Sequence, residues 1–231
     1  MNPAQHLRRQ LILDALCLSP KDRVLDIGSG TGDLAAAVAA AAPWVDIVGL
    51  ELSRRGVEIA RAKVPAASFR QVNLLNGVHS DEQLGWANKV VCSEVLEHVE
   101  SPVELLKSGL RHAETGALVI VTVPAGPRTA FDKHIGHRRH YDRASLEAVL
   151  EEAGVSTKLV RSVGFPFFNL YRLIVFARGK RLIDDVASGS VAASGESGIT
   201  HLLYSVFDTL FKVNCGGSRW GWQLIGVGHK R

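Results

Sequence analysis

The stretch Arg23-Val24-Leu25-Asp26-Ile27-Gly28-Ser29-Gly30-Thr31-Gly32-Asp33 leaves this chain few folds to choose from. An apolar run ends in glycines at every second position and continues into the alanine-rich Leu34 to Ala42, the pattern of strand, tight turn and helix. Glycines in such a turn reach backbone angles closed to other residues, and the N–H groups at the helix start face whatever is bound. The spacing is Gly28-x-Gly30-x-Gly32, which differs from the G-x-G-x-x-G of a pyrophosphate turn. Asp26 sets a carboxylate at the end of the strand, where it suits a cationic ligand better than a pyrophosphate.

Patterns before and after this turn predict alternating helices and strands. Pro3 to Leu18 reads as an amphipathic helix ended by Ser19-Pro20, placed beside the cleft or over it. Val45 to Leu50 is a second strand, and Glu51 at its end lies about twenty residues beyond the glycines, where an acid grips a ribose diol. Ser53 opens a helix to Lys63, and an acid before a helix is also favoured by the macrodipole. Ser68 to Val72 alternates like a third strand, Lys89 to Cys92 is a fourth and Ala117 to Val123 a fifth. Ser101-Pro102-x-Glu104 has the form of a capping box opening a helix to about Ala113. Five parallel strands alternating with helices give an open sheet covered on both faces, with ligands outside the carboxyl ends of the strands.

The acid-x-Gly-x-Gly-x-Gly form at Asp26 to Gly32 resembles the first motif of class I S-adenosylmethionine-dependent methyltransferases. The phrase Cys92-Ser93-Glu94-Val95-Leu96-Glu97-His98-Val99-Glu100-Ser101-Pro102 is similar to the corresponding stretch of the ubiquinone-biosynthesis O-methyltransferases and their small-molecule relatives. The resemblance covers roughly Leu18 to Gly154. It implies a Rossmann-like sheet of seven strands, mostly parallel with the last antiparallel, and S-adenosyl-L-methionine as cofactor with S-adenosyl-L-homocysteine as product. It places Asp26, Gly28, Gly30 and Gly32 near the methionine portion, Glu51 and Leu52 on the ribose side, and Asn73 and Leu74 near adenine. Asn73 stands where the family often has Asp; its side-chain carbonyl can accept from the adenine amine, and Asn is equally ordinary in a turn. By the same resemblance the Cys92 backbone lies near the methionine portion and His98 points to the acceptor side. Imidazole suits removal of a hydroxyl proton near neutral pH, whereas a His ending a short helix also serves to cap carbonyls.

Pro124 to Asp142 is too long and too rich in titratable side chains to be a mere connection. Gly136-His137-Arg138-Arg139-His140-Tyr141 resembles a Gly-His-x-Arg-x-Tyr loop of a methyltransferase subgroup. His140 then joins His98 as a proton-handling candidate, and His137, Arg138, Arg139 and Tyr141 become acceptor-binding candidates. No metal is expected: His134, His137 and His140 share a face only on a helix, Gly136 opposes one, and no carboxylate clearly completes the set.

Thr157 to Val163 reads as the sixth strand and Trp222 to Val227 as the seventh. The expected division is an N-terminal helix over 1–19, a cofactor-binding core over 20–164, a helical insertion or lid over 165–218 and a final strand over 219–231. The insertion holds an apolar run from Phe165 to Ala177, basic residues Arg178, Lys180 and Arg181, a small-residue linker from Ala187 to Gly198 and a helix from His201 to Val213. The apolar run is too short to span a bilayer, which needs about 20 residues. It suits a roof over the acceptor, peripheral membrane contact through 165–181 with Phe167 and Phe168 as anchors, or a dimer contact.

Three widely spaced cysteines, Cys17, Cys92 and Cys215, indicate neither disulfides nor zinc ligands, and a polar start offers no signal peptide, so the expected setting is cytoplasmic, with the inner face of the membrane as a variant. A net charge of +4 is too small for a phosphate track. The expected function is methyl transfer to a small-molecule or lipid-like acceptor, at oxygen. The alternatives are a non-catalytic S-adenosylmethionine-binding partner and a nucleic-acid methyltransferase, the latter disfavoured by the missing Asn-Pro-Pro-Tyr-type motif. Acceptor identity and oligomeric state stay open.

Overall fold

A computed structural model of the chain describes residues 3–76, 84–177, 198–214 and 218–231. Cys215, the basic stretch from Arg178 to Arg181 and the expected linker, apart from its last residue Gly198, lie outside the described residues. The strands are β1 (Arg23–Ile27), β2 (Asp46–Glu51), β3 (Ser68–Gln71), β4 (Ala87–Ser93), β5 (Ala113–Pro124), β6 (Val155–Val163) and β7 (Gln223–Lys230). The helices are α1 (Pro3–Leu16), α2 (Asp33–Ala41), α3 (Arg54–Lys63), α4 (Pro102–Leu110), α5 (Ala130–His134), α6 (Arg143–Glu152), α7 (Phe167–Ala177) and α8 (Gly198–Phe211), with a single 3-10 turn at Leu96–His98.

The sheet runs β3-β2-β1-β4-β5-β7-β6. The first five strands are parallel, and β7 is antiparallel to both β5 and β6. The chain leaves β1 toward β2 on one side and returns to β4 on the other, so a crevice opens at the carboxyl ends of β1 and β4. Period-two alternation divides the core between the faces. Leu25, Ile27, Val90, Cys92, Val119 and Val121 pack under Leu105 and Leu106 of α4 and Leu146 and Leu150 of α6. Val24, Ile47, Val91 and Ile120 pack against Ile12 and Leu16 of α1, Val38 of α2 and Val57 of α3.

A third cluster joins the insertion to the N-terminus. Phe168 and Tyr171 of α7 pack with Phe207 and Phe211 of α8 and with Ala4 of α1, and Trp222 lies against them. The two helices therefore sit on α1 and roof its end of the sheet. Among the described residues, no helix is long and apolar enough to cross a membrane.

The expected capping box at Ser101 does not form. With Pro102 at the first helical position the Ser101 backbone turns to ψ 73°, whereas Thr129 and Asp142 cap at ψ 175° and 178°, and the Ser101 hydroxyl makes no cap bond. Capping boxes form instead at Thr129 with Asp132 and at Asp142 with Ser145.

The turn after β1 is pinned to the neighbouring strand, since the N–H groups of Gly28 and Ser29 both donate to the Leu50 carbonyl, at 2.8 and 3.1 Å. Gly28 has φ +74°, and a Cβ there would stand 2.4 Å from Val95 Cγ2. Gly30 has φ +54° with nothing within 4 Å of a Cβ, so its main chain is open to an approaching ligand. Gly28→Ala should therefore lower stability by more than the roughly 1–2 kcal/mol of left-handed strain, and Gly30→Ala by no more than that strain; denaturant midpoints of the two variants check the order.

Candidate active site

A cleft of about 400 Å³ opens at the crevice, lined by α1 through Gln5, Arg8, Arg9 and Ile12, by the glycine turn from Asp26 to Asp33, and by Ser93 and Glu94 at the end of β4. Asp26 lies at its floor, 3% exposed, and its Oδ2 has no hydrogen-bond partner among the described residues. Burial first, and the nearby Glu51 charge second, push its carboxyl from 3.8 up to about 7. Ser29 Oγ is likewise buried without a partner among the described residues. Orphaned polar atoms beside an open glycine turn fit a ligand that brings its own donors.

The cleft is also lined by Arg8, whose Nη1 lies 3.7 Å from Glu94 Oε2. Glu94 is a non-glycine residue at φ +57°, held there by Gln223 Nε2 donating to its Oε1 at 2.8 Å. A strained residue at the mouth of a cleft is a common mark of function. An anionic group at the floor and a guanidinium at the wall complement a zwitterionic amino-acid end.

Glu51 stands on the other side of the glycine turn. Its Oε2 accepts from Gly30 N at 2.9 Å and its Oε1 from Ser53 N at 2.7 Å, which leaves each oxygen a second lone pair for a diol. Leu52 beside it is 63% exposed, whereas Leu74 is buried in the core. Asn73 is exposed and its carbonyl accepts from Leu75 N at 3.1 Å, the turn geometry an Asn adopts in an ordinary loop. Cys92 is buried under α4, and burial drives its thiol well above the usual range, so only its backbone faces the crevice end.

The loop after β5 folds back over the 3-10 turn. Arg138 donates from its backbone to Glu97 O at 2.7 Å and from Nε to His98 O at 3.1 Å, and its guanidinium pairs with Glu100 at 2.5 Å. Arg139 Nη2 donates to Glu100 O at 2.9 Å. Tyr141 is buried, donates its hydroxyl to Leu96 O at 3.1 Å, and is pushed up to about 12 by burial. The hydrogen-bonding groups of these three residues brace the 96–100 turn, a use that differs from the acceptor contacts expected of them.

His98 is more than a third exposed, and the edge of the His137 ring meets it with centroids 4.8 Å apart. His140 is buried behind His137: its Nδ1 lies 3.0 Å from the Gly126 carbonyl and its Nε2 3.1 Å from His137 Nδ1. Both ring nitrogens of His140 are engaged, and His98 is the most exposed imidazole of the three. Glu97 is fully buried, and neither of its oxygens has a hydrogen-bond partner among the described residues, His98 Nε2 lying 3.9 Å from Oε1; burial and Glu94 raise its carboxyl well above the normal range. Sequence reading left Arg8, Asp132, Arg172 and Gln223 without roles and quoted Glu94 only within a motif.

The strand order, the terminal β6–β7 hairpin and a cleft at the ends of β1 and β4 define the class I S-adenosylmethionine-dependent methyltransferase fold. Residues 4–157 match the family described as a methyltransferase domain, and the chain belongs to that family. Among curated proteins it is 28% identical over 135 residues to the ubiquinone/menaquinone biosynthesis C-methyltransferase of Geotalea daltonii, covering 56% of this chain and 57% of that protein. It is 30% identical over 99 residues to the ubiquinone biosynthesis O-methyltransferase of Aliivibrio fischeri, covering 42% of each. The matches thus span about half the length of these relatives. The phosphoethanolamine N-methyltransferase 2 of Haemonchus contortus, solved with S-adenosyl-L-methionine, shares the fold at TM-score 0.61 and 16% identity, covering 96% of this chain and 52% of that one.

Asp26 sets a pH signature. In the empty protein its carboxyl holds a proton up to about 7, so a cationic ligand must displace that proton at lower pH. Affinity for S-adenosyl-L-methionine should rise with pH below about 7, by at most roughly tenfold per unit, and fall above about 8 where an α-amino group deprotonates. Asp26→Asn should bind more weakly and lose the lower limb, as read by calorimetry across pH 5.5 to 9.

Proposed function

We propose that this chain transfers a methyl group from S-adenosyl-L-methionine to a small-molecule or lipid-like acceptor, at oxygen. The observation that carries the reading is the buried Asp26 carboxyl, whose Oδ2 has no hydrogen-bond partner among the described residues, in a cleft that Arg8 and the glycine turn also line; the pair would receive the ammonium and carboxylate of the cofactor's amino-acid end. Glu51 would accept from the ribose hydroxyls, and Leu52 would cover the adenine side. The cofactor supplies the electrophilic methyl; the chain's own residues align it and exclude water.

His98 and His137 are the candidates to take up the acceptor proton. His137 is held mainly by burial, and then by the His98 charge, down at about 4, so it stays neutral at physiological pH; the more exposed His98 is the better placed base. The names of the relatives cover transfer to carbon, oxygen and nitrogen, so the choice of oxygen rests on the imidazoles alone.

A methyl-label assay tests this. Purified protein, labelled S-adenosyl-L-methionine and host extract should yield a labelled product that base treatment and mass measurement assign as an ether or ester, and His98→Ala should lower turnover on the order of 10²-fold. No labelled product from any extract fraction would favour the non-catalytic binding partner. Label fixed to nucleic acid would favour the third reading.

The roof bears on where the acceptor comes from. Phe168 is buried and Phe167 half-buried, whereas Leu170, Leu173 and Ile174 on α7 are each more than 40% exposed, which favours the latter three over the two phenylalanines as anchors. Peripheral membrane contact through 165–181 would place these three side chains in the lipid interface. Wild-type protein should then cosediment with anionic vesicles more than a Leu170→Ser/Leu173→Ser variant does, and equal pelleting would remove the membrane from the account.

A further inference from the structure

Asp132, His137 and His140 converge behind the acceptor side, and the distances among them are unusual. His137 Nδ1 lies 3.8 Å from Asp132 Oδ1, His140 Nε2 lies 3.9 Å from the same oxygen, and the two nitrogens are 3.1 Å apart. An Asp and two histidines arranged only to hold a loop would close Asp–His hydrogen bonds of about 2.8 Å. These two separations are a full ångström longer. Ligand atoms around a tetrahedral ion with bonds of about 2.1 Å stand about 3.4 Å apart, and the three edges bracket that value.

The surroundings hold each donor in place. Asp132 Oδ2 accepts from the backbone N and the hydroxyl of Thr129, both at 2.8 Å, which fixes the carboxylate, while Oδ1 is shared between Arg172, which donates to it, and the side facing the histidines. His137 N donates to the Asp132 carbonyl at 2.9 Å, so the ring is tied to the residue it faces. His140 Nδ1 lies 3.0 Å from the Gly126 carbonyl, and a carbonyl can only accept, so that nitrogen carries the proton and Nε2 keeps its lone pair toward His137. Metal-bound histidines are oriented by such an outer hydrogen bond. The side chains are 4%, 10% and 6% exposed for Asp132, His137 and His140.

We propose that Asp132, His137 and His140 form a binding site for one divalent transition-metal ion, with zinc the best match to two imidazoles and one carboxylate. Empty, the site is bridged by His137 Nδ1–H donating to His140 Nε2. A bound ion takes both lone pairs, and the His137 proton moves to Nε2. Arg172 Nη2 donates to Asp132 Oδ1 at 2.9 Å, so ion and guanidinium draw on the same oxygen and weaken each other's hold. Metal occupancy would thereby loosen the tie between α7 and the loop after β5. The inference stands independently of methyl transfer, because its readout is metal binding.

The test is calorimetric titration of the full chain with Zn²⁺, together with the Co²⁺ absorption spectrum of wild-type protein. One equivalent of Zn²⁺ is expected to bind, and Co²⁺ to give the intense visible bands of a four-coordinate site. His140→Ala should weaken Zn²⁺ at least tenfold, while His134→Ala, outside the set, should leave it unchanged. Arg172→Met should bind more tightly, because a competing cation is gone. Absence of saturable one-equivalent binding in wild type overturns the site without reference to any variant. Binding that survives His140→Ala in folded protein, or that gains nothing from Arg172→Met, places the ion elsewhere and also overturns it.

Discussion

A carboxyl group taken out of water without a partner costs a protein several kcal/mol if it ionises. Asp26 is such a group, and its position follows from the sheet. β1 lies between β2 and β4, Asp26 pairs in register with Gly49 and Val91, and helices close both faces. The chain retains the penalty at the one point where two parallel halves of the sheet part and a crevice is unavoidable. Keeping a proton on Asp26 lowers the cost in the empty state. In the proposed complex an incoming ammonium would replace that proton with a charge partner, so that binding would relieve a tension that folding leaves in place.

Around this floor, two devices keep the crevice shaped. Left-handed glycines let the main chain turn within three residues and expose N–H groups, and their hydrogen bonds to Leu50 lock the turn to β2. The second device is a roof made from a distance in sequence: α7 and α8 pack on α1 through Phe168, Tyr171, Phe207 and Phe211, and α1 in turn lends Arg8 to the cleft. Arg172 carries the roof's charge inward to Asp132, so roof, loop and 3-10 turn form one connected body beside the cleft.

Local rules made part of this legible in the sequence. β1, the turn, β2 and Glu51 follow from periodicity and glycine placement, which depend on neighbours in the chain. The site's other half depends on contacts across the fold. Gln223 reaches Glu94 across 129 residues and Arg172 reaches Asp132 across 40, and no local pattern announces either. Tyr141, Arg138 and Arg139 show how a structural use escapes a local reading. Aromatic and basic residues in a loop read as ligand-binding groups, but backbone carbonyls at Leu96, His98 and Glu100 take the same donors. Ser101 failed as a cap for a similarly local reason, a backbone angle that residue type does not specify.

If this crevice receives S-adenosyl-L-methionine and Glu51 grips its ribose, calorimetry of the wild type and of Glu51→Ala, with folding verified by circular dichroism, should show both. One site per chain is expected in the wild type and, with two hydrogen bonds to a charged acceptor worth about 1.5–3 kcal/mol each, a loss of at least tenfold in the folded variant. Equal affinity in the two proteins would take Glu51 out of the ribose site, and no binding by the wild type would mean that the crevice is not a receptor for this cofactor.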